Sequence, residues 1–304
     1  MSRLVTHRQL RAEGFDAHEV SRKVSAGSFH RIRRGVYLDG EPKDDRVGRY
    51  LVECCAVLAR CGPETVLSHA SAAAAWGLPL PWAALGTVHV IQPRRKGGRS
   101  RAGVCVHQAK LGDDACLRFG HRVTTLPRTL VDLGRSLDLG WAVAAMDDAL
   151  HHQRCAHHEL ATALRDQAGR PGCRGAARAV ALADHRSESV GESLSRVLLV
   201  QAGLGPDELQ HEFPHSNGVD RVDFWWECGV VGEFDGQLKY RAQAMPGMSP
   251  DEVLWAEKQR EDRLRRRGLV VVRWTWDELL HQPEVVVARI REALATARAA
   301  PRPS

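Results

Sequence analysis

The chain has 304 residues, of which 43% are hydrophobic and 26% charged, and a formal net charge of +6; such a composition excludes a disordered or fibrous polymer and leaves room for two or three folded domains. No apolar run reaches the roughly 20 residues of a membrane span, and MSRLVTHRQL at the start lacks the hydrophobic core of a secretory signal, so a cytoplasmic protein with no membrane partner is expected. Eight cysteines without a repeating frame point to reduced, mostly buried thiols rather than a disulfide scaffold.

Residues 1–40 carry 8 Lys/Arg against 4 Asp/Glu, a basic surplus that suits a polyanion. Thr6 with Gln9 and Asp16 with Glu19 have capping-box spacing, so two short helices are predicted, stopped at Gly14 and Gly27. FHRIRRGVYL then alternates basic and apolar residues about Gly35, as a hairpin would. Helix, turn, helix and hairpin outline a winged helix-turn-helix DNA-binding domain. It would place Arg22 and Lys23 on the second helix and Arg31, Arg33 and Arg34 on the wing, facing double-stranded DNA. A solvated basic face is the alternative for each arginine taken singly.

Residues 41–185 read as an α+β middle domain with 19 basic against 14 acidic residues. An apolar helix is predicted near residues 49–60, followed by a small-residue helix in SHASAAAAWGLPLP. The strands TVHVIQP and GVCVHQAKL are joined by RRKGGRSRA, whose Arg94, Arg95 and Lys96 could touch phosphates without reading sequence. WAVAAMDDALHHQRCAHHELATAL suggests a helical hairpin. Its His151, His152, Cys155, His157 and His158 invite a zinc reading, but their spacing matches no common zinc frame, and a histidine-rich helix turn is the alternative.

Residues 186–304 reverse the balance, with 16 basic against 19 acidic residues. A helix is predicted over 190–202, then strands LQHEFP, RVDFWW and VVGEFD. A long helix follows, with Ser249 as cap, Pro250 first and Glu252 three after the cap; strand LVVVRW and a closing helix complete the order α-β-β-β-α-β-α, a mixed sheet with helices packed against it. Side chains alternate along strands, so Asp223, Glu233 and Asp235 can converge on one sheet face, with Gly236 releasing the chain toward Lys239. Glu257 and Lys258 on the long helix could join them. Clustered carboxylates beside lysines suit Mg²⁺-dependent phosphodiester hydrolysis, the metal polarising phosphate and acidifying water. The structural alternatives are a Glu233–Arg273 ion pair and a Glu192 that merely completes a capping box with Ser189.

RVDFWWECGVVGEFDG together with LWAEKQREDRLRRRGLVVVRWTWDEL resembles the very-short-patch-repair endonucleases and their relatives in the PD-(D/E)xK superfamily. The resemblance covers roughly residues 188–280 and implies a restriction-endonuclease-like domain over 186–304. It makes Asp223 the central metal ligand, Glu192 the helical acid and Glu233 the second strand acid, with Asp235 beside them. The superfamily's usual lysine falls at Asp235 here, so its role passes to Lys239 or Lys258. LVTHRQLRAEGFDAHEVSRKVSAGSFHRIRRGVYL looks like the winged-helix domain of AbiEi-type antitoxins, and VLSHASAAAAWGLPLP with VTTLPRTLVDL is similar to the segment that accompanies it. That resemblance implies operator binding and repression, with a cognate toxin protein as a candidate partner; a homodimer is a separate candidate. Two readings follow: a DNA-binding protein with a Mg²⁺-dependent endonuclease domain, or a non-catalytic antitoxin-like repressor whose nuclease fold is degenerate.

Overall fold

The computed structural model describes residues 3–92, 99–101, 103–216, 218–236 and 249–299. Over these residues the protein is mixed α/β, with twelve α-helices and three sheets, divided into two compact units. The first comprises residues 1–137 and 155–180, the second residues 138–154 and 181–304.

The first unit opens with β1 (Arg3–Thr6), α1 (His7–Ala12), α2 (Ala17–Ser25), β2 (Phe29–Arg33) and β3 (Val36–Asp39), the strands forming an antiparallel sheet in the order β1-β3-β2. Both capping boxes close as the spacing predicts: Thr6 and Asp16 each accept from the third backbone amide of their helix while Gln9 and Glu19 reach back. Gly14 and Gly27 sit at φ +92 and +74, conformations that a side chain disfavours. Strand β1 went unread in the sequence because RLVT is too short to show a period.

Next come α3 (Arg46–Leu58), β4 (Val66–Leu67), α4 (His69–Trp76), β5 (Val88–Ile91), β6 (Arg99–Arg101), β7 (Val104–His107), β8 (Ala115–Arg118), β9 (His121–Thr124) and α5 (Leu126–Ser136). The strands make a six-stranded mixed sheet, order β6-β7-β5-β4-β9-β8. Its core gathers Tyr50 and Cys54 of α3, Ala72 of α4 and the buried valines Val88, Val90 and Val123. The alanine run packs α4 closely, since small side chains let the helix approach the sheet. Helix α6 (Leu139–His151) belongs to the second unit, and α7 (His157–Asp166) and most of α8 (Cys173–Leu182) return to the first.

In the second unit, α9 (Val190–Gln201) precedes β10 (Glu208–His215), β11 (Gly218–Trp226), β12 (Val230–Asp235), α10 (Pro250–Arg266), β13 (Val270–Thr275), α11 (Trp276–His281) and α12 (Pro283–Ala299). The sheet runs β10-β11-β12-β13; its first two pairings are antiparallel and β12–β13 is parallel. Both faces are covered. Phe224, Trp226, Phe234 and Trp274 pack with Leu199 of α9 and Ile290 of α12, while Val222 and Val231 pack with Leu264 of α10. In LVVVRW the inward positions Val272 and Trp274 are buried, while Val270 is exposed and Arg273 turns to the α10 face. Within the same unit Arg196 of α9 ion-pairs with Asp147 of α6 at 2.7 Å, both nearly inaccessible. All eight cysteines are free thiols, although only Cys54 and Cys155 are buried. Among the described residues no helix is long and apolar enough to cross a membrane.

Candidate functional site

The carboxylates predicted to converge are each held differently. The β11–β12 ladder ends at the Phe224–Gly232 pair; beyond it, the Phe234 amide donates to Asp223 Oδ2 at 2.8 Å, so the Asp223 carboxylate takes the place of a strand carbonyl. Glu233 lies beside Arg273 in the parallel β12–β13 register, and Arg273 Nε donates to Glu233 Oε2 at 2.8 Å. Arg260 of α10 donates to the other oxygen, Oε1. Glu257 and Glu261 extend the network, accepting from Arg260 and Arg273 at 2.5–3.1 Å. Glu233 is 2% exposed. Burial pushes its carboxyl up, but the guanidiniums of Arg260 and Arg273 outweigh this and hold it below the usual carboxylate range.

These contacts bear on Mg²⁺. A magnesium ligand must turn a carboxylate oxygen toward the ion, whereas both Glu233 oxygens are engaged and two cations stand against them. Glu233 therefore does not fit the role of a magnesium ligand, and the pairing with Arg273 is the structural alternative weighed for it from the sequence. Asp235 is half-buried opposite Thr275, and its Oδ1 has no hydrogen-bond partner among the described residues. Glu192 lies in the first turn of α9, where only the Ser189 half of a capping box forms: its carboxylate accepts from Ser189 Oγ at 2.7 Å, the Glu188 amide at 3.0 Å and Gln210 Nε2 at 2.8 Å. Burial raises its pKa against these bonds. Lys258 is exposed on α10, and Arg260 is the helix cation that reaches Glu233. Lys239 lies outside the described residues.

The predicted DNA-facing cations also separate. Arg22 is exposed on α2, whereas the Lys23 ammonium sits 5.3 and 4.9 Å from the ring centroids of Phe15 and Phe29. Arg33 ion-pairs with Glu53 of α3 at 2.8 Å. Arg31 and Arg34 are exposed and, with His7, Arg8 and Arg60, line an open hollow of about 580 Å³ whose lining, among the described residues, includes no acidic side chain. Arg60 Nη1 donates to the Arg34 carbonyl at 2.6 Å, fixing that rim. Arg94, Arg95 and Lys96 lie outside the described residues.

A second constellation escaped the sequence reading. His69 opens α4, His89 lies on β5 and His107 ends β7, and one ring nitrogen from each lies within 4.8 Å of the others. His89 Nδ1 and His107 Nε2 are 2.9 Å apart, and the His69 and His107 rings stack at 3.8 Å. Several bonds fix the frame. The Ser68 amide donates to the His89 carbonyl at 3.0 Å, and the His89 amide donates to Ser71 Oγ at 2.8 Å. Ser68 Oγ lies 3.0 Å from His69 Nδ1 and makes no cap bond to the helix backbone. His69 itself is held at φ +49, a left-handed conformation that costs a non-glycine residue about 1–3 kcal/mol and is retained where the surroundings enforce it. Burial lowers all three histidine pKa values, that of His107 to about 4, so neutral imidazoles meet here. The signal available beforehand was a histidine inside each apolar strand of TVHVIQP and GVCVHQ. By contrast, the sequence cluster from His151 to His158 forms no such three-ligand group among the described residues.

No family model matches the chain. In two strains of Mycobacterium tuberculosis, Uncharacterized protein Rv2248 and Uncharacterized protein MT2308 are each 32% identical to it over 284 residues, covering 91% of this chain and 97% of their own length. With likeness extending across both compact units at that level, the chain belongs to the family of these two mycobacterial proteins.

Proposed function

We propose that the protein is a DNA-binding regulator: its N-terminal module acts as a winged helix on duplex DNA, and its C-terminal unit keeps a restriction-endonuclease-like plan without metal-dependent cleavage. The observation that carries DNA binding is the hollow lined by Arg8, Arg31, Arg34 and Arg60 with no acid among its described lining residues. Exposed guanidiniums grouped without counter-charges are the footprint of a phosphate backbone. What supports the absence of cleavage is Glu233, whose two oxygens are taken by Arg260 and Arg273. On this reading a cognate toxin and a second copy of the chain are its protein partners.

Four arginine–phosphate contacts give a log–log salt slope near −3.6, a loss of affinity of about 150-fold between 50 and 200 mM salt. Fluorescence anisotropy with a labelled duplex measures that slope, and each of Arg8→Ala, Arg31→Ala and Arg34→Ala should reduce it by about one. A slope near zero, or one unmoved by these variants, overturns the assignment. A second reading, Mg²⁺-dependent phosphodiester hydrolysis, is favoured by Asp235, whose buried Oδ1 has no partner among the described residues. Plasmid nicking with Mg²⁺ that disappears in Asp223→Asn would establish that reading in place of the first.

A further inference from the structure

We propose that His69, His89 and His107 hold a divalent transition-metal ion of the zinc class, whose remaining coordination position opens onto a pocket where Arg128, Arg135 and Arg170 seat a phosphate-class anion. The inference stands apart from the DNA-binding reading, since it uses none of the residues invoked there.

Three imidazoles from three rigid elements are a nitrogen-only donor set, which suits zinc, copper or nickel and not magnesium or calcium. Two nitrogens on one tetrahedral zinc lie about 3.3 Å apart, and their rings about 5 Å between centres. His89 Nδ1 and His107 Nε2 share a 2.9 Å hydrogen bond, whose proton a shared ion would displace as the nitrogens part slightly. The ring centroids of His89–His107 and His69–His89 are 5.2 and 5.5 Å apart. The 3.8 Å stack of His69 on His107 is closer than a shared ion allows, so loading separates those two rings. Ser68 Oγ engages His69 Nδ1, leaving Nε2 for the ion. Such an outer hydroxyl fixes the ring direction, and it accepts from Nδ1–H when Nε2 takes the ion.

No fourth His, Cys, Asp or Glu completes the group among the described residues. Three protein ligands and an open position are the pattern of a site that binds or activates something, since structural zinc is closed by four. The open side is a pocket of about 450 Å³ lined by His69, His107, Arg128, Arg135 and Arg170. Arg128 is 1% exposed and ion-pairs with Asp132 and Asp114 at 3.0 and 2.6 Å, and Arg135 ion-pairs with Asp132 at 2.7 Å. Arg170 lines the same pocket and feels Asp132 and Asp114 only through longer-range attraction, without a close ion pair among the described residues. Three guanidiniums against two carboxylates leave a positive charge facing the cavity, and a bound metal adds two more. A tetrahedral oxyanion matches both the fork geometry of arginine and the open metal position.

The test uses the full chain after chelator treatment. Cobalt(II), a zinc surrogate with visible bands, should bind at one equivalent; His89→Gln and His107→Gln should weaken binding at least about 100-fold, and Ser68→Ala about 10–100-fold. Inorganic phosphate should then shift the cobalt bands, and Arg170→Ala should weaken that phosphate effect at least about tenfold while cobalt affinity stays within about twofold. Circular dichroism checks each variant for folding; if the histidine variants unfold, Ser68→Ala decides the metal site. No stoichiometric cobalt binding, or binding indifferent to the folded variants, overturns the metal site. Bands unmoved by phosphate, or moved equally in Arg170→Ala, overturn the anion pocket.

Discussion

Replacing Glu233 by Gln distinguishes a charge network from a metal site within a single variant. The substitution keeps the shape but removes the charge between Arg260 and Arg273, which are partly accessible, with side chains 19% and 30% exposed. Removing one partner of a fully buried pair costs about 3–5 kcal/mol. Water reaches these arginines and Glu257 and Glu261 still engage them, so the expected loss is smaller, about 2 kcal/mol after solvent screening. Urea denaturation followed by the fluorescence of Trp225, Trp226 and Trp274, all in this sheet, reads it as a midpoint lower by roughly 1 M at a slope of about 2 kcal/mol/M. Its pH dependence follows from the depressed carboxyl. The contribution of Glu233 is complete above its ordinary value of 4.5 and is lost as pH falls through the lower folded value, so wild type and variant converge in acid. Magnesium supplies the contrast. Were Glu233 a ligand with a dissociation constant of about 1 mM, 10 mM Mg²⁺ would stabilise wild type by about 1.4 kcal/mol and leave the variant unchanged. The network requires no such difference. A variant as stable as wild type at pH 7, or a magnesium stabilisation confined to wild type, refutes the reasoning.

Other substitutions probe the supports of each unit. A Cβ on Gly191 would stand 1.9 Å from Phe234 Cε1, so Gly191→Ala forces α9 off the sheet and should lower stability by at least about 1–3 kcal/mol in the same urea assay; an unchanged midpoint contradicts that packing. Asp147→Ala strands the nearly inaccessible Arg196 and should cost about 3–5 kcal/mol, read as a fall in thermal midpoint; a loss under 1 kcal/mol would mean that water satisfies the arginine. Burial pushes the Cys54 thiol up to about 12, so in the native protein at pH 8 it should react with a thiol reagent far more slowly than the half-buried Cys228, with mass spectrometry of each labelled position as the check.

Which parts of this molecule could be read beforehand follows from the range of the interaction responsible. The boxes at Thr6, Asp16 and Ser249 span three residues, and the spacing alone carries them. Strands β10 to β13 were legible because each has an apolar pattern and a short turn or a capped helix beside it. Strands β8 and β9 were not: ACLR and HRVT mix polar and apolar residues over four positions each, too few to establish a period. The three carboxylates were placed in neighbouring strands by alternation, yet their partners depend on register. Glu233 meets Arg273 because β13 runs parallel to β12, and Arg260 reaches it from a helix 27 residues away. On that helix Glu257, Arg260 and Leu264 share the inward stripe that helical spacing predicts, while Lys258, adjoining it, is exposed and does not reach Glu233.

The histidines make the same point more sharply. Five His and Cys residues between 151 and 158 are neighbours in sequence, whereas the trio that meets in space comes from positions 69, 89 and 107. Local crowding on a helix end spreads side chains around the axis, each three to four residues apart on a given face. Ligands converge when separate elements are held in register from both sides. That is what the Ser68 and Ser71 bonds to His89 achieve, docking the start of α4 on β5. A strained His69 backbone and a surplus of guanidiniums over carboxylates in the adjoining pocket would each be costly taken alone. An anion against the arginines would offset both their surplus positive charge and that of a cation between the rings. Loss of phosphate binding in His107→Gln, with the arginine pocket intact, would show that the two halves act as one site.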